Sequence, residues 1–267
     1  MTVVSEPSGA ARRYTANISK GSALVPETVA LLREWSPSLS DEEFYTRVVE
    51  SNILGKTTRS RVRDILARVF APRFLASSLP SATAMKALVE GDAGRDVVER
   101  LVLYHAALAD DLLYDFASER LMALRDQGHY QVSTGDALAY ITGLMDDRLI
   151  QPRWSESMAE RAAQGLLATC RDTGLLEGAA NKRFAPVYMP FEAFVYVAYA
   201  LNDRGVAGSA VVKHRDWRLF LLDHDAVERL FIEADGRRVL RYEAAGEVRR
   251  IDWTYNSLTE AIHGLGY

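Results

Sequence analysis

NILGKTTRSRVRDILARVFAPRF, from Asn52 to Phe74, reads as a turn followed by an amphipathic helix rich in arginine. Val62, Ile65, Leu66, Val69 and Phe70 recur at i, i+3, i+4, i+7 and i+8, which is one apolar face of a 3.6-residue period. Gly55 suits the preceding turn, and Thr57 or Thr58 can accept the first free helix N–H groups. Pro72 comes too late to break this helix and marks its expected end. From Lys56 to Arg73 there are six basic residues against one acid, Asp64, while the whole chain carries a formal charge of −4. A local excess of +5 in an acidic protein is a field that suits phosphate. With the apolar residues facing inward, Arg61 and Arg68 share one flank and Arg59 and Arg63 the other. The charge therefore frames the helix on two sides, and ordinary solvated arginines are the plain alternative.

The surrounding chain predicts a mainly α protein with small β-hairpin wings. Pro26-Glu27 opens a helix to about Trp35, and Ser40 caps another whose first turn is acidic. That helix ends near Asn52, so the arginine helix completes a helix, turn, helix order. Pro80 and Gly91 to Gly94 bracket a short helix, and one long helix is expected from Arg95 to Asp126, stopped by Gly128. Thr134 caps a helix to about Met145, and Ser155 caps the next. On that helix Met158, Ala162, Leu166 and Cys170 cluster inward, while Ser157, Arg161, Gln164, Ala168 and Arg171 fall outside. Leu175 to Pro190 holds two short apolar runs around the basic tip Gly178-Ala179-Ala180-Asn181-Lys182-Arg183. Helix, turn, helix, hairpin is the order of a winged helix.

The last segment repeats that order in miniature. Helices are expected at Ser209 to Lys213 and at Asp225 to Ala234, the second capped near Asp223. Paired strands follow at Val239 to Tyr242 and Val248 to Trp253, joined by Ala244-Ala245-Gly246-Glu247. Ser257 and Glu260 form a capping box for a final helix. Arg237, Arg238, Arg241, Arg249 and Arg250 decorate this hairpin, either as contacts or as partners in cross-strand charge pairs. The expected organisation is a disordered tail over 1–13, a helical domain with a helix-turn-helix over 14–129, a winged-helix-like domain over 130–205 and a small α/β winged unit over 206–267.

Bulk properties narrow the function. A chain of 267 residues suits two or three small domains or one large one, and its 48% apolar and 25% charged content is ordinary for a globular protein. A pI near 5.8 argues against a wholly basic coat protein yet leaves room for a basic patch. The single cysteine, Cys170, forms no intramolecular disulfide and reads as a small core residue. The first 13 residues lack a hydrophobic signal core, and the apolar run Phe191 to Leu201 is half a membrane span and contains Glu192. A cytoplasmic protein with no membrane partner is the expectation.

Catalytic patterns are weak. Gly55-Lys56-Thr57 invites a phosphate-loop reading, but the position of the first glycine is Glu50 and a helix, not a strand, precedes it. The five histidines show no metal-ligand spacing, and His105 among Leu101, Leu108 and Leu112 reads as a packed helix residue. Asp110-Asp111 and Asp146-Asp147 are sequence neighbours that point about 100° apart on a helix. No serine-centred elbow occurs. The reading is a non-enzyme with no cofactor, no metal and no small-molecule substrate.

Tyr14 to Gly21, Pro26-Glu27-Thr28, Asn52 to Lys56 and Arg59 to Arg68 resemble the BrxA family of bacteriophage exclusion (BREX) defence systems. Trp217 to Leu222 and Arg241 to Ala261 are similar to the family's closing segment, so the resemblance spans nearly the whole chain. It implies a cytoplasmic, mainly helical protein with helix-turn-helix or winged-helix parts that binds double-stranded DNA. It also implies an N-terminal region similar to the NusB-type RNA antitermination fold, and work beside other BREX proteins. It supplies no catalytic residues.

The residues themselves nominate the contacts. Lys56, Arg59, Arg61, Arg63 and Arg68 belong to the first helical pair; Arg161, Gln164 and Arg171 lie on the recognition-like helix; Lys182 and Arg183 lie on its wing. Gln164 is the one base-reading candidate, and the cations are positional. The rival is an adaptor whose winged helices dock other proteins of the defence system, with RNA binding through the NusB-like part as a third reading.

Overall fold

A computed structural model describes residues 13–76, 81–179, 181–246 and 248–267. The tail expected over 1–13 lies outside the described residues except for Arg13, as do Pro80, Ala180 and Glu247.

The described chain is mainly helical with short antiparallel strands. Helix α1 (Val25–Glu34) carries Pro26 in its first turn. Helix α2 (Asp41–Ser51) starts on a full capping box, with Ser40 Oγ accepting from the Glu43 N–H and the Glu43 carboxylate accepting from the Ser40 N–H. Helix α3 (Arg59–Ile65) is capped by Thr58, whose Oγ1 accepts from the Arg61 N–H. Its apolar face, Val62, Ile65, Leu66, Val69 and Phe70, is buried as the periodicity requires. The helix does not end at Pro72. It widens into a π-wound stretch, Leu66–Leu75, that carries Pro72 inside it. The wider winding accommodates a residue that has no N–H to give and whose ring would crowd the preceding turn of an α-helix.

Helix α4 (Ala82–Glu90) packs on α1, and α5 (Arg95–Leu108) follows. The long helix expected over Arg95 to Asp126 is broken at Ala109-Asp110. Asp110 leaves helical backbone, and its carboxylate accepts from the Leu112 and Leu113 N–H groups, so it caps a new helix, α6 (Asp111–Asp115). A π-wound stretch, Phe116–Leu121, carries α6 into α7 (Met122–Asp126).

Next come β1 (Gln131–Val132), α8 (Thr134–Asp146), α9 (Glu156–Asp172), β2 (Leu176–Glu177) and β3 (Lys182–Phe184). The cap of α8 is Ser133, one residue before the expected Thr134, in a box with Asp136. Strand order is β1-β3-β2, antiparallel throughout, with Gln131 opposite Arg183 and Glu177 opposite Arg183 on the other side. On α9, Ala162, Leu166 and Cys170 are buried as expected, but Met158, in the first turn of the helix, is 37% exposed.

Helix α10 (Phe191–Asp203) is apolar around its circumference and is buried from Ala193 to Leu201, so it is a core helix and not a half-length span. It packs against α5. The chain closes with α11 (Ser209–Val212), a 3₁₀ turn (Arg215–Phe220), α12 (His224–Gly236), the hairpin β4 (Leu240–Ala245) and β5 (Val248–Trp253), and α13 (Leu258–Gly264). Asp223 caps α12 through the Ala226 N–H. Ser257 caps α13, but the Glu260 carboxylate accepts from Asn256 rather than from the Ser257 N–H, so the expected reciprocal box is half formed. One continuous apolar core runs from Ile18 to Ile262. No described helix is long and apolar enough to cross a membrane.

Candidate nucleic-acid interface

The basic stretch divides into three environments. Arg59 and Arg63 are exposed and form no ion pair among the described residues. Arg61 and Arg68 occupy the opposite flank, as the helical period requires. Arg61 Nη1 donates to the Lys20 carbonyl at 3.0 Å, and Arg68 Nε lies 3.2 Å from Asp64 Oδ1, one turn away. Arg73 belongs to neither flank. It is 6% exposed, and its guanidinium donates to the carbonyls of Gly21, Ser22 and Ala23 at 3.2, 3.0 and 2.9 Å. Burial pulls its pKa down to about 10, partly offset by the Asp110 charge. This arginine pins the N-terminal segment to the helix and adds nothing to a surface field.

Lys56 is also committed. Its Nζ stands 2.6 Å from Glu27 Oε1 on α1, and its backbone is clamped by Asn52, whose side-chain amide meets both the Lys56 N–H and carbonyl at 3.1 Å. Gly55 at φ +58° makes this turn possible. Glu27 lies on an element 29 residues away, so no local signal could show that the Lys56 charge is neutralised.

The second cluster lies on α9 and its hairpin. Ser157, Arg161, Gln164 and Arg171 are exposed, as the period predicts. Arg161 Nε donates to the Ser157 carbonyl at 3.0 Å, and Arg171 pairs with Asp172 at 2.6 Å. Gln164 is exposed, and its amide makes no hydrogen bond among the described residues. At the hairpin, Arg183 pairs with Glu177 at 2.6 Å across β2 and β3, and Lys182 Nζ donates to the Ala179 carbonyl at 3.2 Å. The acids Glu156 and Glu160 lie in the early turns of α9 and oppose an anion there.

The two clusters are adjacent. A Cβ on Gly165 of α9 would stand 2.7 Å from the Ile18 carbonyl oxygen and 3.3 Å from the Ser19 nitrogen. Only a glycine lets α9 approach that segment so closely. The next residues, Ser19 and Lys20, face Arg61 and Arg68. Lys20 is exposed and without an ion pair among the described residues. Sequence reasoning did not choose it, because nothing local sets apart a lysine whose relevant neighbours lie 41 residues ahead and on α9.

The C-terminal hairpin differs. On one face Arg241 stands opposite Asp252 and Arg250 opposite Glu243, with in-strand pairs Arg241–Glu243 at 2.7 Å and Arg250–Asp252 at 3.1 Å. On the other face Arg249 pairs with Glu228, which also accepts from the Tyr242 hydroxyl at 3.0 Å. Arg237 pairs with Glu233 and lies 4.0 Å over the Phe191 ring. Arg237, Arg241, Arg249 and Arg250 are thus paired with acids, but within a helix, within a strand or from strand to helix, and not, among the described residues, in ion pairs across the two strands.

The buried polar groups build the fold. His105 is fully buried, with Nδ1 2.8 Å from the Arg73 carbonyl and Nε2 2.7 Å from the Tyr196 hydroxyl. Burial lowers its pKa to about 4, so it is neutral, donates from Nδ1 and accepts at Nε2. Asp216 is 1% exposed and accepts from Tyr104, Tyr114 and Arg204 at 3.0, 2.5 and 3.0 Å. Burial opposes its ionisation, but His214, Tyr114 and Arg204 outweigh that and hold its pKa at about 2. Burial pushes the Cys170 thiol up to about 12, which suits a core residue. Among the described residues no group of three His, Cys, Asp or Glu side chains could hold a metal ion.

Comparison with known proteins agrees with the fold. A family model described as BrxA matches residues 12–199. No curated protein matches the chain. A solved structure, the crystal structure of an uncharacterized protein from Magnetospirillum magneticum, superposes with a TM-score of 0.60 at 17% identity, over 78% of this chain and 98% of that one.

Proposed function

This chain belongs to the BrxA family, which implies a role in BREX phage defence, and we propose that within that role it binds double-stranded DNA without catalysing a reaction. The observation that carries the reading is the α9 unit. The element order α7, β1, α8, α9, β2, β3 with strand order β1-β3-β2 supports a winged-helix reading, in which α9 is the helix that enters the major groove. Its open face offers Arg161 to phosphate and Gln164 to a base edge, since a glutamine amide matches the paired donor and acceptor of adenine. Arg171, Lys182 and Arg183 flank that face.

The arginine helix supplies the second contact. Arg59 and Arg63 carry charge that no ion pair among the described residues neutralises, and Arg61 and Arg68 border the same exposed back of α3, formed by Ser60, Asp64 and Ala67. A duplex laid across that back reaches both flanks. The pairs at Arg68, Arg171 and Arg183 are exposed, and exposed pairs are worth about 0–1 kcal/mol, so a phosphate can displace the carboxylate. Lys56 is held by Glu27 in a less exposed pair and contributes least. Other BREX proteins are the natural neighbours of such a factor.

One observation favours the adaptor instead: the arginines of the β4–β5 hairpin are matched to acids, as on a surface that docks protein. Fluorescence anisotropy with a labelled random duplex, the matched single strand and the matched RNA across a salt series separates the readings. Duplex binding whose log–log salt slope is several units supports direct phosphate contact. Preference for RNA moves the function to RNA, and three flat titrations at low salt move it to the adaptor.

A further inference from the structure

A cleft of about 300 Å³ is lined by Ser19, Lys20, Arg61, Asp64, Arg68 and Val69. That is the volume of about ten waters, enough for a phosphate group with part of its hydration shell. The cleft forms where the segment after Ile18 crosses α3 and its π-wound continuation. Its wall is closely packed: a Cβ on Gly21 would stand 2.5 Å from Val69 Cγ2, and Arg73 donates to the carbonyls of Gly21, Ser22 and Ala23. Arg61 is anchored through one N–H to the Lys20 carbonyl, which leaves the rest of its donor fork unspent. Lys20 brings an exposed ammonium without a carboxylate partner among the described residues. Asp64 neutralises one of the three cations by pairing with Arg68, so the lining keeps a charge of +2. Helix α9 packs against the segment that enters the cleft, because Gly165 meets the backbone of Ile18 and Ser19; Gln164 is the adjacent residue in sequence and Arg161 is one turn back.

We propose that this cleft seats one backbone phosphodiester of the duplex whose groove faces Arg161 and Gln164, with Lys20 as the point charge and Arg61 as the oriented fork. The inference rests on the duplex-binding reading above, and it names a contact and a residue, Lys20, that the reading does not need. The Ser19 hydroxyl is committed to the Ala16 carbonyl at 2.6 Å and lines the cleft without donating into it, and Asp64 weakens the site while holding Arg68 at its edge. The arrangement sets the register of α9 on the duplex, because the cleft and α9 are joined through the packed Ile18–Ser19 segment.

The test is anisotropy with a labelled random duplex across a salt series, for wild type, Lys20→Ala and Asp64→Asn, with thermal unfolding as the check on folding. The Lys20 side chain makes no hydrogen bond among the described residues, so Lys20→Ala keeps the fold. The expected result is a three- to tenfold loss of affinity, roughly, and a log–log slope smaller by about 1 for Lys20→Ala. Asp64→Asn, which frees Arg68, binds more tightly than wild type. If wild type binds the duplex steeply and Lys20→Ala matches it in affinity and slope, the cleft is not a phosphate site while duplex binding stands. Weaker binding by folded Asp64→Asn also overturns the cleft. If wild type shows no salt-dependent duplex binding, both the cleft and the reading beneath it fall together.

Discussion

The arginines of α3 and those of the β4–β5 hairpin are similar in number and opposite in circumstance. Arg59 and Arg63 on α3 carry charge that no acid among the described residues answers, whereas Arg241, Arg249 and Arg250 on the hairpin each face a carboxylate. The reason is geometric. On a two-stranded ribbon residues i and i+2 share a face with the residues opposite them, so Arg241 meets Glu243 and Arg250 meets Asp252 within their own strands, each with a second acid opposite it. On α3 the flank of Arg59 and Arg63 has no acid at i+3 or i+4, the spacing that a helix can bridge. Arginine count therefore says little about where a phosphate would bind; residual charge after pairing says more. Arg73 marks the limit of the same argument, a cation on the arginine-rich helix that is wholly consumed by three carbonyls.

The largest effect expected from breaking this contrast is at Arg73. Arg73→Met leaves the carbonyls of Gly21, Ser22 and Ala23 without their donors in a buried setting and should destabilise the protein by about 4 kcal/mol, read by urea unfolding. A loss below about 1 kcal/mol would mean that this arginine is a surface cation after all.

His105, bonded to the Arg73 carbonyl, sharpens the same point with pH. It stays neutral in the fold down to about 4, whereas the unfolded chain protonates it near 6.5. Stability from this group is therefore full above pH 6.5 and falls by about 3 kcal/mol as pH drops towards 4. Asp110, pushed up to about 6 by burial, contributes the opposite slope, so the useful comparison is His105→Gln against wild type at each pH. A variant whose stability falls as steeply as wild type below pH 6.5 would contradict the assignment.

On the exposed side, Arg59→Ala with Arg63→Ala should lower duplex affinity about tenfold and reduce the salt slope by about 2, with stability changed by less than about 0.5 kcal/mol. The smallest effect belongs to the hairpin. Arg241→Ala with Arg250→Ala should leave duplex affinity within about twofold, because each of these arginines lies between two acids, one in its own strand and one opposite, that repel a phosphate, and should shift stability by less than about 1 kcal/mol per exposed pair.

These distinctions were unevenly legible in the amino-acid sequence. The apolar face of α3, the capping residues Ser40, Thr58, Asp223 and Ser257, and the outward face of α9 follow from local periodicity and local hydrogen bonding, and the coordinates carry each of them. The break at Asp110 was written as an Asp-Asp pair inside an apolar period, and period alone does not reveal that a carboxylate has left the helix to cap the next one. Pro72 has the local signature of a stop, and nothing in the sequence nearby announces the widened winding that carries it onward to the buried Arg73 and Phe74. Pairing was the least legible property. Glu27 neutralises Lys56 from another helix, and Lys20 meets Arg61 across 41 residues, so neither the loss of one candidate charge nor the gain of another has a local signature.

The most direct measurement compares the log–log salt slopes of duplex binding for wild type, the Arg59→Ala/Arg63→Ala variant and the Arg241→Ala/Arg250→Ala variant under identical conditions. Residual charge as the determinant predicts a slope reduced by about 2 for the α3 variant and an unchanged slope for the hairpin variant. Equal reductions in both, or a reduction only in the hairpin variant, would contradict it.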